Sequence, residues 1–87
     1  MIFNSLQLNA QDFEVDGQFR ETEDNEIKVS FNSLSLGNEI KQYHGTKKVI
    51  DLIVFKQNDE NKFQAENVVL ENFTIDNNGY RATFKEQ

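Results

Sequence analysis

The amino-acid sequence predicts an all-β fold, a small antiparallel sandwich or barrel of about six or seven strands. Three observations lead to this prediction: segments in which apolar and polar residues alternate, a run rich in β-branched residues, and an Asn-Gly turn signal near the end of the chain. The alternative is an α+β fold with one helix near residues 61–72 packed on an antiparallel sheet. Both remain open because KFQAENVVLENF, residues 62–73, fits a strand and a short helix equally.

Two segments in the first half of the chain have the period-2 pattern of half-buried strands. FEVDGQF, residues 13–19, and EIKVSF, residues 26–31, each alternate apolar and polar side chains. The polar stretch ETEDN, residues 21–25, predicts a turn between them. The three segments together predict a β-hairpin with an acidic turn.

The register of this hairpin is predicted from its apolar residues. Pairing Phe19 with Ile27 keeps large apolar side chains together on one face. The same register sets Arg20 opposite Glu26, so that opposite charges meet on the other face. The apolar pattern and the charges therefore agree on one register.

VIDLIVF, residues 49–55, is almost continuously apolar and rich in β-branched residues, as expected of a central strand that is covered on both faces. Asp51 interrupts this run. Burying a carboxylate without a partner costs several kcal/mol of folding free energy. This cost is about as large as the free energy that one buried apolar side chain contributes. We therefore expect Asp51 to be satisfied by a base or by backbone donors, or to lie on an open face.

A second hairpin is predicted near the end of the chain. Asn-Gly at residues 78–79 is the preferred pair for a type I′ turn, since both residue types tolerate positive φ. This turn sets Phe73 opposite Phe84 on one face, and it sets Asp76 opposite Arg81 on the other.

The six-residue stretch FNSLQL, residues 3–8, returns as FNSLSL, residues 31–36. In both copies the Phe and the two Leu residues have opposite parity, so a regular strand would send them to opposite faces. A bulge at the Asn-Ser step would reunite them, and the two copies are then the same bulged strand used twice. Chance and true duplication remain as alternatives.

The length and composition predict one domain spanning residues 1–87. The chain has no cysteine, which favours a reducing compartment. No apolar run approaches the roughly 18 residues of a membrane span, and no basic segment precedes an apolar one at the start. We therefore expect a cytoplasmic protein without a signal peptide.

The net charge of −6 arises entirely in the first part of the chain, because residues 27–87 contain eight acidic and eight basic residues. Between positions 12 and 26, Arg20 is the only base. The acidic residues of this segment are Asp12, Glu14, Asp16, Glu21, Glu23, Asp24 and Glu26. We expect these seven carboxylates to bind a partner.

The stretch DFEVDGQFRETE, residues 12–23, has the spacing of a calcium-binding EF-hand loop and resembles one over these residues alone. Acidic residues fall at loop positions 1, 3, 5 and 12, and Gly17 falls at position 6. The third position has Glu instead of a shorter residue, and the following segment is β-branched where a helix is needed. We therefore favour the strand and expect no metal site.

No other motif indicates catalysis. His44 is the single histidine, in a predicted loop with Tyr43, Lys47 and Lys48, and one histidine is too few for an ordinary zinc site. Two lysines beside a net charge of −6 favour neither direct nucleic-acid binding nor membrane binding. We expect a protein that is not an enzyme and has no cofactor.

These observations predict a small acidic protein-binding module whose acidic hairpin, residues 12–26, docks a basic surface of a protein partner. The sharpest form of this prediction is an inhibitor that presents phosphate-like carboxylates to a nucleic-acid-binding surface. The Asn- and Lys-rich, Pro-free composition is typical of AT-rich coding and suits a phage or a mobile element. The alternative is a structural subunit of a virion type, a homo-oligomer assembled through edge strands.

Overall fold

The computed structural model describes residues 1–87, and its strands form one antiparallel sheet. Strands make up 62% of the chain, beside one short helix, so the predicted all-β class is confirmed. The elements in chain order are β1 Ile2–Phe3, β2 Ser5–Leu8, β3 Gln11–Phe13, β4 Gly17–Glu21, β5 Glu26–Phe31, α1 Leu34–Lys41, β6 Val49–Gln57, β7 Glu60–Asp76 and β8 Gly79–Glu86.

The strand order of the sheet is β1-β4-β5-β8-β7-β6-β2-β3. The sheet closes on itself because β1, at one end of this order, continues along the chain into β2, next to the other end. Only Asn4 separates β1, which pairs with β4, from β2, which pairs with β6. The Asn4 amide donates to the Lys56 carbonyl at 2.9 Å, which continues the pairing across the break. The eight strand segments therefore form a small closed barrel.

Twenty buried apolar residues form one core inside the closed sheet. Three phenylalanines lie at its centre: the Phe19 and Phe55 rings stack with centroids 4.2 Å apart, and Phe3 meets Phe55 edge-on at 5.3 Å. Each buried Phe contributes about 1.5–3 kcal/mol of transfer free energy. Alternation along each strand sends these rings inward and leaves the polar residues outside.

The helix predicted by the alternative fold near residues 61–72 is wrong, since this segment lies within strand β7. β7 pairs with β6 through residues 60–69 and with β8 through residues 68–76. Pairing with one neighbour or the other therefore extends along the whole strand, and this decides in favour of the extended conformation. The helix α1 lies elsewhere, and it is neither long nor apolar enough to cross a membrane.

Helix α1 begins at a capping residue. The Ser33 hydroxyl accepts a hydrogen bond from the Leu36 amide at 3.2 Å, which satisfies one of the free amides of the first turn. Leu36 and Ile40 are four positions apart on one helix face, and both are fully buried. Gly37 lies against the Tyr80 ring, where an added Cβ would be 2.6 Å from a ring carbon.

The predicted register of the first hairpin is wrong by two residues. Phe19 lies opposite Val29 instead of Ile27, and Arg20 lies opposite Lys28 instead of Glu26. The physical reason is the turn, because Asn25 has a φ of 61° and ends a three-residue loop in the left-handed conformation. A shift of two residues keeps every side chain on its predicted face but changes its partner.

The second hairpin is also shifted. Asp76 pairs with Gly79, so the turn is formed by the two residues before the glycine. Phe73 lies opposite Ala82 and not opposite Phe84. Gly79 has a φ of 125°, and a Cβ there would lie 2.6 Å from the Phe31 carbonyl oxygen, so the glycine is needed where β8 passes β5.

Asp51 lies on an open face, as one of the two expected arrangements predicted. Its amide donates to the Asn9 side-chain oxygen at 2.9 Å. Strand β6 is covered on both faces only at residues 53–55, which are at most 3% exposed, whereas Val49 is 43% exposed. Full coverage of the whole run is therefore wrong.

Candidate functional site

The turn between β4 and β5 presents four carboxylates and no base. We call residues 21–26 the acidic turn. The Thr22 hydroxyl accepts hydrogen bonds from the amides of Asp24 and Glu26, both at 3.3 Å, and the Thr22 amide donates to the Glu26 carbonyl at 2.9 Å. The carboxylates of the acidic turn are those of Glu21, Glu23, Asp24 and Glu26.

The acidic turn is also tied to the neighbouring strand. The Glu86 amide at the end of β8 donates to the Asn25 carbonyl at 3.0 Å. The backbone of the turn is therefore held both by the Thr22 side chain and by the sheet, although its carboxylates point into solvent. Such a turn loses little conformational entropy when it docks.

The other three acids of the predicted hairpin lie apart from the acidic turn. Asp12 belongs to β3, and Glu14 and Asp16 lie between β3 and β4. The hairpin contains residues 17–31 only, so the prediction of one acidic hairpin over residues 12–26 is wrong. Five steps of extended chain place Asp16 roughly 16 Å from Glu21.

A bulge lies between β3 and β4. Phe13 pairs with Leu6, whereas Gly17 pairs with Phe3, so three residues of one strand lie opposite two of the other. The extra residue bends the chain between β3 and β4. The site therefore consists of two acidic patches instead of one.

None of the seven acids is compensated by an ion pair. The two salt bridges of the molecule join Lys62 to Glu60 at 3.4 Å and Arg81 to Asp76 at 3.8 Å. Six of the seven acidic residues are exposed, and Glu26 is half-buried. The negative potential of both patches therefore extends into solvent.

The residues with EF-hand spacing do not form a loop between helices. Asp12 lies in β3, Gly17 begins β4, and the segment that follows the stretch is β5. No three acidic, His or Cys residues of the molecule are grouped so that they could hold a metal ion. The strand interpretation is confirmed at 11–13 and 17–21, with the bulge between them.

The loop after α1 gathers the aromatic and basic residues singled out in the sequence. His44 is exposed, with its ring centroid 6.4 Å from that of Phe73, and the Lys48 Nζ lies 5.7 Å from the centroid of the Tyr43 ring. Burial raises the pKa of the Tyr43 hydroxyl, and the nearby Glu39 carboxylate raises it further. The Lys48 ammonium group lies over the ring of the buried Tyr43, and this contact stabilises the loop.

One feature was missed in the sequence: a groove on the outer face of β4, β5, β8 and β7, with a volume of about 570 Å³. We call it the basic groove, because its polar side chains include Arg20, Lys28 and Arg81 and no carboxylate. The remaining polar side chains of the groove are those of Gln18, Ser30, Asn72, Thr74 and Thr83.

The sequence pattern places the cations of the basic groove on one face, but the wrong predicted register of the first hairpin gave no indication that they lie side by side. Alternation alone places Arg20 and Lys28 on the outer face of the hairpin. The predicted register gave Arg20 an acidic partner, Glu26, and so indicated a neutral pair. The observed register puts two cations side by side.

Comparison with models of known protein families, with curated proteins and with solved structures found no match.

Proposed function

We propose that this protein is a small non-enzymatic binding module whose acidic turn docks a basic surface of a protein partner. The observation that carries the proposal is that the carboxylates of residues 12–26 are unpaired, while the backbone of the turn is held in place. Solvated charges on flexible chains provide solubility alone. Fixed and uncompensated charges also provide a defined pattern for a partner.

The expected contribution of this pattern is mainly kinetic. Complementary potentials steer two proteins together and raise the association rate by factors of about 10 to 10³, with a strong dependence on salt. Four carboxylates on six residues, with no base among them, concentrate the field at one end of the β4–β5 hairpin. The acidic turn is therefore the first point of contact in this proposal.

The sharpest form of the proposal is an inhibitor that occupies a nucleic-acid-binding surface. Asp12, Glu14 and Asp16 are exposed and lie at every second position of the sequence. Together with the acidic turn they provide two groups of carboxylates, which in this proposal take the places of phosphate groups on the partner's surface. A phage or mobile-element origin, which the composition favours, is consistent with an inhibitor of host nucleic-acid enzymes.

Assembly through edge strands, the alternative, receives less support. Strand β3 lies at one end of the strand order and is an edge on which a second copy could pair. The free edge of β3 is only three residues long and has Asp12 at its centre. Like charges would meet there if two copies paired.

The test is a charge reversal of the turn with a matched control. Glu21, Glu23 and Asp24 are changed to Lys in one variant, and Glu60, Glu66 and Glu71 are changed to Lys in the other, so both gain the same charge. A protein captured from the native host by the wild type is identified and purified, and its association rate is measured at low and high salt. We expect the turn variant to associate more slowly and with a flatter salt dependence.

The control variant is expected to associate like the wild type. If the two variants are slowed equally, net charge explains the binding and the acidic turn is not the docking site. If neither is slowed, the carboxylates only solvate the protein.

A further inference from the structure

The basic groove contains a pair of like charges in direct cross-strand contact. Arg20 of β4 lies opposite Lys28 of β5, which places their Cβ atoms about 5 Å apart on the same face. Arg81 of β8 lies opposite Ser30, one diagonal position from Lys28. Three cations therefore occupy three neighbouring strands.

No acid neutralises the centre of this group. Arg20 and Lys28 have no carboxylate within ion-pairing distance, and Arg81 has only a long contact to Asp76, at 3.8 Å. Like charges directly opposite each other destabilise a sheet. The chain has 15 acidic residues, yet none of them forms an ion pair with Arg20 or Lys28. An anion bound between the strands would remove this repulsion.

We propose that the basic groove binds a small ligand that carries two or more phosphate groups. The cations are spread over two strand spacings, about 10 Å, which is too wide for one phosphate group but suits a chain of two or three. The two Arg side chains can each bind a phosphate in bidentate geometry, and Lys28 adds a mobile point charge. The groove volume, about 570 Å³, lies in the range of small-molecule sites, roughly 300–1,000 Å³.

Hydroxyl and amide groups complete the site. Ser30, Thr74 and Thr83 provide hydroxyls, and Gln18 and Asn72 provide amides, all of which can donate to phosphate oxygens. These neutral donors add hydrogen bonds without adding charge. They therefore favour an oxyanion over a simple halide.

The same observations disfavour a nucleic acid as the occupant. The one aromatic residue that lines the groove is Phe19, which is 2% exposed, so no base can stack on it. Glu21 adjoins Arg20, and Glu26 precedes Lys28 by two residues, so a long polyanion would pass the acidic turn. A small ligand can bind among Arg20, Lys28 and Arg81 without extending along the acidic turn.

The experiment measures the melting temperature and the heat of binding with sodium tripolyphosphate and with ATP, each against sodium chloride of equal ionic strength. We expect both ligands to raise the melting temperature of the wild type, since a ligand of the native state stabilises it. A larger effect of ATP identifies a nucleotide as the ligand, and equal effects identify the phosphate chain alone. Either result supports the proposal.

Three variants locate the site. Arg20→Gln with Lys28→Gln is expected to weaken tripolyphosphate binding about tenfold or more, because two charge-assisted hydrogen-bonding groups are lost. Lys47→Gln with Lys62→Gln makes the same change in net charge outside the groove and should bind like the wild type. Arg81→Gln, alone, gives a second reading if the first variant folds poorly.

Three results would overturn the proposal. The first is no rise in melting temperature with either ligand, and the second is equal weakening in the groove variant and in the control variant. The third is tighter binding of single-stranded oligothymidine than of tripolyphosphate, lost in the groove variant, which would make the groove a nucleic-acid site. The proposal does not depend on the acidic turn, so each can fail alone.

Discussion

The two copies of FNSLxL adopt different structures although five of their six letters are identical. In the first copy Phe3 ends β1, Asn4 breaks the strand, and residues 5–8 form β2. In the second copy Phe31 ends β5, Ser33 caps a helix, and the two Leu residues lie in α1. The shared letters therefore encode a buried Phe that ends a strand, and nothing beyond it.

The predicted common face is found in the first copy, but the predicted extra residue is not in that copy. The extra residue lies in the paired stretch of the chain, between β3 and β4, and the second copy has no bulge but a helix. Phe3, Leu6 and Leu8 are all buried, because the break at Asn4 returns them to one face. There the Asn4 side-chain oxygen accepts from the Asn58 amide at 3.0 Å, and the flanking chain finds partners in β6. Chance and duplication are the two hypotheses for the origin of the repeat.

The residues that follow each copy account for the difference. The second copy continues as GNEIK, in which Ile40 has the i, i+4 spacing of a helix from Leu36, the last residue of the copy. The first continues to Asn9, whose φ of 53° turns the chain back into β3. Short identical segments have no fixed conformation when their local preference is weak, and the contacts outside them decide.

The largest expected difference between the copies is at their fourth position. Leu6 is fully buried and Leu34 is 69% exposed. Leu6→Ala should therefore lower the free energy of unfolding by about 2–5 kcal/mol, and Leu34→Ala by less than about 0.5 kcal/mol. Urea denaturation of both variants measures this, and equal losses would mean that the copies share one structure.

At the third position of the repeat, we expect the substitution in the second copy to lower the free energy of unfolding more than the substitution in the first copy, by a smaller amount than at the fourth position. Ser33→Ala removes the helix cap and should cost about 1 kcal/mol, whereas the Ser5 hydroxyl makes no hydrogen bond within the protein and Ser5→Ala should cost less. Faster hydrogen exchange at the Leu36 amide in the Ser33 variant would identify the cap as the cause. A greater loss in the Ser5 variant would contradict the helix at the second copy.

Strand β5, on which the second copy begins, gives a test of register. Lys28→Glu places an acid opposite Arg20 and should raise the free energy of unfolding by a few tenths of a kcal/mol, up to about 1 kcal/mol. The gain should disappear in the Arg20→Gln background, as a double-mutant cycle would show. Lys62→Glu, which breaks an exposed ion pair, is the control and should give no gain.

The smallest effect is expected at alkaline pH, next to the helix that only the second copy has. The pKa of Tyr43 is raised by burial and by Glu39, so the folded-state pKa lies above the unfolded value of 10.0. The stability contributed by the neutral phenol is present below pH of about 10 and is lost as the pH rises through the folded-state pKa. Tyr43→Phe should show a smaller alkaline loss of stability in urea titrations.

Tyr80→Phe is the matched control, because Tyr80 is the only other tyrosine. It should retain the alkaline loss of the wild type. If Tyr43→Phe retains that loss as well, the alkaline titration belongs to other groups.

The sequence alone determined which side chains of the β4–β5 hairpin face inward. Alternation with period 2 is a local property, so Phe19, Ile27 and Val29 were assigned to the core correctly in spite of a wrong register. The position of the first turn was predictable from the polar stretch at residues 21–25, whereas the second turn is formed by residues 77–78, one position before the predicted Asn78-Gly79 pair. The exposure of the acids in residues 12–26 also follows from charge alone.

Only the tertiary structure decided which residues are partners. The Asn25 conformation and the approach of Gly79 to the Phe31 carbonyl set the two registers, and both depend on contacts with other strands. Residues 60–76 are a strand because two neighbours pair with them. The pairing of Arg20 with Lys28, and with it the basic groove of this acidic protein, is a result of the tertiary structure. Strand pairing depends on contacts across the sheet, which a local sequence pattern does not specify.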